Sequence, residues 1–197
     1  PIFRPFCELD GYGRGMPKSR YTIDSFYFDT PDFCLYHANE LEFPDRFKLR
    51  VRTYPGAAGG PVFFEVKRRF NDVISKTRGR VPRELWAELI RNPRSSLSAS
   101  IDKKSRAAVE RFLSLVHTYH ARPVTIVRYD REAYLSRIDD YARVTFDCNV
   151  RSQASQQLSF EANPNGWRHM EHAQAQKSIQ RMTLVELKFT SAVPRWM

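Results

Sequence analysis

One nine-residue stretch constrains the fold of this chain more than any other feature. Residues 46–54 read RFKLRVRTY, and every second position carries a cation: Arg46, Lys48, Arg50 and Arg52. Successive side chains of a β-strand point to opposite faces, so the stretch predicts a strand with one apolar and one cationic face. A fold that contains this strand must bury the apolar face and offset the charge of the other.

The same alternation predicts further strands along the chain. The sequence PGAAGG at 55–60 predicts a hairpin loop, because glycine adopts the backbone angles that tight turns require. The remaining predicted strands are 21–30, 62–70, a short strand within 71–81, 125–135, 142–150 and 183–189. The first twenty residues are rich in glycine and proline, and they predict a loop.

Two segments have helical spacing instead. Residues 81–92 contain a proline near their start, followed by leucines and an isoleucine at helical intervals. Residues 101–120 predict the stronger helix, with Asp102 as its N-cap and one continuous apolar stripe. Together with the strands, these helices predict an α+β fold built on an antiparallel sheet.

Composition narrows the function without deciding it. The chain has 32 Lys and Arg residues against 22 Asp and Glu residues, a net charge of +10. That excess indicates a polyanionic partner, which could be nucleic acid, polyphosphate, a nucleotide or an anionic membrane. Three cysteines without paired spacing argue against a zinc site or a disulfide framework and favour the cytoplasm. No apolar run is long enough to predict a transmembrane segment.

The polar faces of the predicted strands admit two interpretations. Each strand alone resembles the solvated face of an ordinary antiparallel sheet. Across all the strands, however, cations outnumber acids, and stacked like charges repel unless an anion lies among them. An antiparallel β-barrel lined by such faces, with its apolar faces turned outward onto helices, would form an anion-holding tunnel. Arginine suits phosphate because its guanidinium binds two oxygens at once, and isolated acids suit a divalent cation.

Seven segments, in order along the chain, resemble the VTC domain, the catalytic domain of polyphosphate polymerases among the triphosphate tunnel metalloenzymes. The segments are YFDT (27–30), KLRVRTY (48–54), FEVKRR (64–69), SKTR (75–78), YDREAY (129–134), RVTFD (143–147) and VELKF (185–189). The resemblance spans about residues 21 to 190 and implies the triphosphate tunnel fold. No single segment is decisive, but all seven occur in register.

The resemblance also implies roles for individual residues. The cations implied to act in catalysis by gripping phosphates are Arg50, Arg52, Lys67, Arg131 and Arg143. Further implied substrate-binding residues are Lys76, Arg78, Tyr129 and Lys188. Glu186 matches the family's metal-binding glutamate, and the implied cofactor is Mn²⁺ or Mg²⁺.

The implied activity is phosphoryl transfer from ATP onto inorganic polyphosphate. One alternative is a triphosphatase that uses water as the acceptor in the same tunnel. Another is a non-catalytic module that binds polyphosphate or inositol phosphates. Nucleic-acid binding is not expected, because the aromatic residues fall mainly on the apolar faces of the strands rather than among the cations.

The sequence allows two interpretations for some residues of the polar faces. Arg46, Lys48 and Arg69 could lie at the mouths of the tunnel or on solvated strand ends. Asp147 could bind a metal or pair with Arg143, and we expect the pairing. Glu65 is equally ambiguous.

Both ends of the chain depart from the family pattern. The family opens with a strand of RYExK type and continues past ELKF into a helix that leads to a further lysine. The opening FRPFCELDGYGRG has the composition of a loop, and the chain does not begin with methionine. We expect one tunnel domain over residues 1–197 that lacks the family's first strand and last helix. It is either an excerpt of a longer protein or a shortened relative with an open tunnel.

Overall fold

The chain forms the predicted class of structure, α+β with an antiparallel sheet. The computed structural model describes residues 3–56, 59–92, 100–139, 141–170, 182–190 and 193–196. The strands are β1 (Cys7–Leu9), β2 (Tyr21–Asp29), β3 (Asp45–Thr53), β4 (Val62–Phe70), β5 (Val73–Val81), β6 (Arg122–Ser136), β7 (Ala142–Ala154), β8 (Arg168–His169) and β9 (Leu184–Phe189). The helices are α1 (Cys34–Glu40), α2 (Trp86–Arg91) and α3 (Lys103–Thr118).

The strands are hydrogen-bonded in the order β5-β4-β3-β2-β6-β7-β8, while β1 pairs with β6 and β9 pairs with β7. The chain divides into two compact units. The β3–β5 unit comprises Asp24–Val127 and Ser152–Trp167, and the β7–β9 unit comprises Pro1–Ile23, Arg128–Arg151 and Arg168–Met197. Strands β2, β6 and β7 contribute residues to both units.

The core of the β3–β5 unit lies between the apolar faces of its strands and helix α3. Leu49, Phe64 and Phe112 are completely buried in it. A side chain at Gly79 of β5 would place its Cβ 2.6 Å from Val109 Cγ2, so glycine permits the close approach of α3. Because the helix covers the apolar face of β4 and β5, the cationic residues lie on the opposite face.

The predicted N-cap of α3 is confirmed. Asp102 accepts a hydrogen bond from the Ser105 backbone N–H at 2.9 Å, which satisfies one of the unpaired donors at the start of the helix. Helix α2 is shorter than the predicted 81–92. The Leu85 backbone N–H donates to the Pro82 carbonyl in a turn, and the helix begins only at Trp86.

The β7–β9 unit contains an element that the sequence analysis missed. The segment predicted as a loop includes β1, which pairs antiparallel with β6. Three residues are too few to produce a recognisable alternation, and the neighbouring glycines favoured a loop. A small core of Cys7, Tyr134, Ala142, Val144 and Trp196 holds this strand in place.

Helix α1 was also not predicted. Its seven residues are too few for a clear apolar stripe, and its start depends on Asp29 at the end of β2. The Asp29 carboxylate accepts hydrogen bonds from the backbone N–H groups of Leu35 and Tyr36 at 2.9 and 2.8 Å. Within the described part of the chain, no helix is long and apolar enough to cross a lipid bilayer.

Candidate functional site

The residues implied by the resemblance form two groups, one in each unit. Arg50, Arg52, Lys67, Lys76 and Arg78 lie in the β3–β5 unit, and Tyr129, Arg131, Arg143, Glu186 and Lys188 lie in the β7–β9 unit. The strand register places the charged members of each group on the polar face of their strands, as the alternation predicted.

The register of β3, β4 and β5 aligns three lysines. Lys48 lies opposite Lys67, and Lys67 lies opposite Lys76 on the next strand. Like charges directly opposite each other destabilise a sheet. Among the described residues, neither Lys48 nor Lys67 forms an ion pair with an acid. We call these three residues the lysine row.

The next row along the strands is organised around Glu65. Arg50 Nε donates to Glu65 Oε2 at 2.6 Å, and Arg52 Nη1 lies 4.0 Å from the same oxygen. On the other side, Lys76 Nζ and Arg78 Nε lie 3.0 and 3.4 Å from Oε1. We call these five residues the Glu65 cluster. Four cations therefore share one carboxylate.

The charge of Glu65 is fixed by its surroundings. Its side chain is only 1% exposed, and burial by itself would raise the pKa of the carboxyl. The positive charges of Arg50, Arg52 and Lys76 outweigh burial and lower the pKa of Glu65 to about 2. The carboxylate is therefore ionised at neutral pH and offsets one of the four positive charges around it.

Neighbouring side chains orient the guanidinium groups. Arg50 Nη1 donates to the Tyr27 hydroxyl at 3.3 Å, and the Arg78 guanidinium lies 3.7 Å from the centre of the Phe63 ring. The side chain of Arg52 is only 8% exposed. It therefore serves as a buried counter-charge for Glu65. Arg50, Lys76 and Arg78 are 22%, 43% and 35% exposed and keep surface that an anion could contact.

Arg46, Lys48 and Arg69, for which the sequence allowed either a tunnel mouth or a solvated strand end, line one cavity. The cavity has a volume of about 200 Å³, and its lining includes Arg46, Lys48, Lys67 and Arg69. Arg46 Nη1 donates to the Phe43 carbonyl at 2.7 Å, and Arg69 Nε donates to the Asn71 carbonyl at 2.7 Å. These residues are grouped around a concave surface at the start of β3 and the end of β4.

In the β7–β9 unit, cations and acids alternate across β6, β7 and β9. Both nitrogens Nε and Nη2 of Arg131 donate to the Asp147 carboxylate at 2.7 Å. Arg131 Nη2 also lies 3.9 Å from Glu186 Oε2. Lys188 Nζ lies 3.3 Å from Glu186 Oε1. In the register of β7 and β9, Lys188 lies opposite Arg143.

The expected pairing of Asp147 with Arg143 is wrong. These residues are four positions apart on one strand, about 13 Å at the usual rise, whereas Arg131 lies on the adjacent strand. Arg143 Nη2 instead contacts Asp10 Oδ2 at 3.1 Å and the Tyr21 hydroxyl at 3.3 Å. No local signal could have found Asp10, because it is 133 residues from Arg143 and follows the missed strand β1. We call the set Asp10, Arg131, Arg143, Asp147, Glu186 and Lys188 the Glu186 cluster.

Some buried polar atoms of this unit lack a hydrogen-bond partner among the described residues. Arg143 Nε and Thr145 Oγ1 are buried and have no hydrogen-bond partner within the described part of the chain. Such atoms are uncommon in proteins. Tyr129 is 9% exposed, and the Arg131 guanidinium lies 5.2 Å from the centre of its ring.

Glu186 could hold a metal ion only together with other ligands. Its side chain is 47% exposed, while Asp147 is occupied by Arg131. The described residues contain no group of three or more His, Cys, Asp or Glu side chains placed to bind a metal. Mg²⁺ and similar ions commonly take one or two carboxylates and complete their shell with phosphate oxygens and water. A single half-exposed carboxylate of this kind fits an ion whose other ligands are phosphate oxygens and water.

The family model described as the VTC domain matches residues 3–197, which confirms the resemblance drawn from the seven segments. A search of the curated proteins found no match. Among solved structures, the chain is similar to the PH1819 protein from Pyrococcus horikoshii OT3, with 14% identity and a TM-score of 0.38. That match covers 76% of this chain and 63% of the other, so this chain spans less than two thirds of the PH1819 protein's length.

Proposed function

We propose that this chain, which belongs to the VTC domain family, binds a chain of phosphate groups on its cationic strands and transfers phosphoryl groups. The donor we propose is ATP, and the acceptor is inorganic polyphosphate. The observation that carries the proposal is the charge imbalance of the β3–β5 unit, where four cations surround one buried carboxylate beside the lysine row.

A phosphate chain suits this imbalance better than a single anion does. Its negative charges follow one another at short intervals, as the cations do along β3, β4 and β5. Each bound phosphate would reduce the repulsion within the lysine row and between Arg50 and Arg78. One guanidinium group can bind two phosphate oxygens at once. Because neighbouring side chains already orient these guanidinium groups, binding costs little further side-chain entropy.

The transfer step needs positioning and charge stabilisation more than covalent chemistry. In phosphoryl transfer, charge spreads over the oxygens of the transferred group, and the attacking and leaving oxygens lie roughly in line. We assign Arg50, Lys67, Lys76 and Arg78 to holding phosphates, with Arg52 buried against Glu65. In the β7–β9 unit, Arg143 and Lys188 would donate to phosphate oxygens. Arg131 positions Asp147 and borders Glu186.

Glu186 is the residue that would hold Mg²⁺ or Mn²⁺, with phosphate oxygens as further ligands. Such an ion, when bound, supplies positive charge that polarises a phosphoryl oxygen. Lys188 Nζ lies 3.3 Å from Glu186 Oε1. The Lys188 ammonium group would therefore donate to a phosphate that binds beside Glu186. A triphosphatase would require a positioned water, and the described residues offer no cluster of acids to bind one at a metal.

The test is incubation of the full chain with ATP and Mn²⁺, followed by separation of polyphosphate and free phosphate. We expect polyphosphate from the wild type and none from Glu186→Ala, while that variant still binds tripolyphosphate without metal. A matched control is Glu88→Ala, which removes a half-exposed glutamate from α2 and should leave activity unchanged. Release of free phosphate without chain growth would favour the triphosphatase, and binding without turnover would favour a binding module.

A further inference from the structure

A second cavity in the β3–β5 unit is lined by none of the residues that are assigned above to phosphate transfer. Its volume is about 350 Å³, within the range of small-molecule pockets, which begins at roughly 300 Å³. The lining residues that bear on its function are Tyr27, Phe33, Tyr36, Asn39, Lys48 and Thr125. The cavity therefore combines flat aromatic surfaces with amide, hydroxyl and ammonium groups, and the carboxylates of Asp29 and Glu40 also line it.

Two of the aromatic side chains are about half exposed. Phe33 is 47% exposed and Tyr36 is 54% exposed, although both border a concave surface. Grouped apolar surface of this kind commonly marks a place that a ligand covers. Aromatic rings favour a ligand that is itself flat, because two rings can stack.

The backbone that carries these two rings is fixed by hydrogen bonds at the start of α1. Asp29 accepts hydrogen bonds from the backbone N–H groups of Leu35 and Tyr36, which fixes the start of α1 against the end of β2. Phe33 has φ of 57°, a left-handed backbone conformation that is rare for a bulky residue. Strained conformations of this kind concentrate at functional sites. The backbone that carries the two rings is thus fixed by contacts within the fold.

Asn39 supplies a hydrogen-bonding edge. Its Nδ2 donates to the Leu35 carbonyl at 2.7 Å and to the Phe47 carbonyl at 3.1 Å. Because both contacts are with carbonyl acceptors, the amide orientation is determined, and Oδ1 is the atom left to accept. An exocyclic amino group, such as that of adenine or cytosine, is a matching donor.

The cavity shares lining residues with the cationic face. Lys48 lines both this cavity and the 200 Å³ cavity that contains Lys67. Tyr27 lines the aromatic cavity and accepts a hydrogen bond from Arg50 of the Glu65 cluster. A ligand that carries a flat ring at one end and phosphates at the other would satisfy both surfaces.

We propose that this cavity binds the base and sugar of a nucleoside triphosphate, with the phosphates leaving the cavity at Lys48 toward Lys67 and Arg50. The inference rests on the proposed phosphate-binding function and adds the part of the substrate that inorganic phosphate lacks. It assigns Phe33, Tyr36 and Asn39 to recognition of the nucleoside rather than to chemistry.

The experiment compares ATP with inorganic tripolyphosphate by isothermal titration calorimetry on the full chain without metal. Tyr36→Ala and Phe33→Ala remove exposed rings. We expect each to weaken ATP binding by about tenfold, the loss that one missing stacking contact produces. Both should leave tripolyphosphate binding within twofold of the wild type. Phe70→Ala is the matched control, since Phe70 is 57% exposed and does not line the cavity.

Each outcome decides the inference. Selective loss of ATP affinity in the Tyr36 and Phe33 variants supports it, provided that their melting temperatures match that of the control. Equal changes for ATP and tripolyphosphate, or no change for either, would overturn it and leave the phosphate-binding proposal standing. A wild type that binds neither ligand would defeat the phosphate-binding proposal itself, and this inference with it.

Discussion

The two charged clusters differ in their balance of charge. In the Glu65 cluster one carboxylate meets four cations, and the lysine row adds Lys48 and Lys67 beside it. The Glu186 cluster sets three cations against three acids, which are Arg131, Arg143 and Lys188 against Asp10, Asp147 and Glu186. The first cluster therefore keeps an excess of positive charge that a ligand can offset, and the second is close to neutral by itself.

Burial separates the two glutamates as well. Glu65 is 1% exposed, whereas Glu186 is 47% exposed. A buried carboxylate cannot exchange its partners without a large cost, so Glu65 fixes the positions of the arginines around it. An exposed carboxylate can exchange an ammonium neighbour for a metal ion or a substrate. The same residue type thus organises one cluster and stays open to a ligand in the other.

The largest expected effect comes from removing the buried charge. Glu65→Gln leaves four cations without their shared counter-charge, and losing one partner of a buried ion pair typically costs about 3–5 kcal/mol of folding free energy. Glu186→Gln should cost less than about 1 kcal/mol, because its ion pairs are half exposed. Urea denaturation of both variants measures the difference. Equal losses would contradict the distinction between the two clusters.

The next effect is a pH dependence that arises from the Glu65 cluster. The pKa of Glu65 falls from 4.5 to about 2 on folding, so its ionisation stabilises the folded state above about pH 4.5. That contribution, on the order of 3 kcal/mol, is lost as the pH falls from about 4.5 toward 2. Urea titrations across this window should show a shallower loss of stability in Glu65→Gln than in the wild type. Parallel curves would contradict the assignment.

The smallest expected effect has the opposite sign. Lys67→Ala removes the central charge of the lysine row, so it should stabilise the ligand-free protein by a few tenths of a kcal/mol. The same change should weaken tripolyphosphate binding. Thermal denaturation with and without tripolyphosphate measures both effects. A variant that loses stability without ligand would show that Lys67 contributes to packing rather than to a repulsive row.

The sequence predicted the strands well because alternation is a local property. The opening stretch 46–54 corresponds to β3 (Asp45–Thr53), and the polar parity of Glu186 and Lys188 is confirmed in β9. The alternation also placed Glu65 on the same face as Lys67. What it could not provide was the register that sets four cations around Glu65, because register depends on hairpin geometry and on packing of the apolar faces.

Contacts between distant parts of the chain were beyond the sequence pattern. Asp10 pairs with Arg143. Asp10 directly follows strand β1, which is too short to produce a periodic signal. Helix α1 was missed for the same reason, and with it the cavity formed by Phe33, Tyr36 and Asn39. The shared tunnel that would bring all the implied residues onto one phosphate chain stays a prediction.

The most direct test of the account is the affinity of tripolyphosphate, without metal, for the wild type and two double variants. Lys48→Ala with Lys67→Ala removes charge from the lysine row, and Lys103→Ala with Lys104→Ala removes the same charge from exposed positions on α3. We predict at least a tenfold loss of affinity in the first variant and less than a twofold loss in the second. Equal losses in both would show that tripolyphosphate responds only to net charge, and the excess of cations on β3, β4 and β5 would not be a binding site.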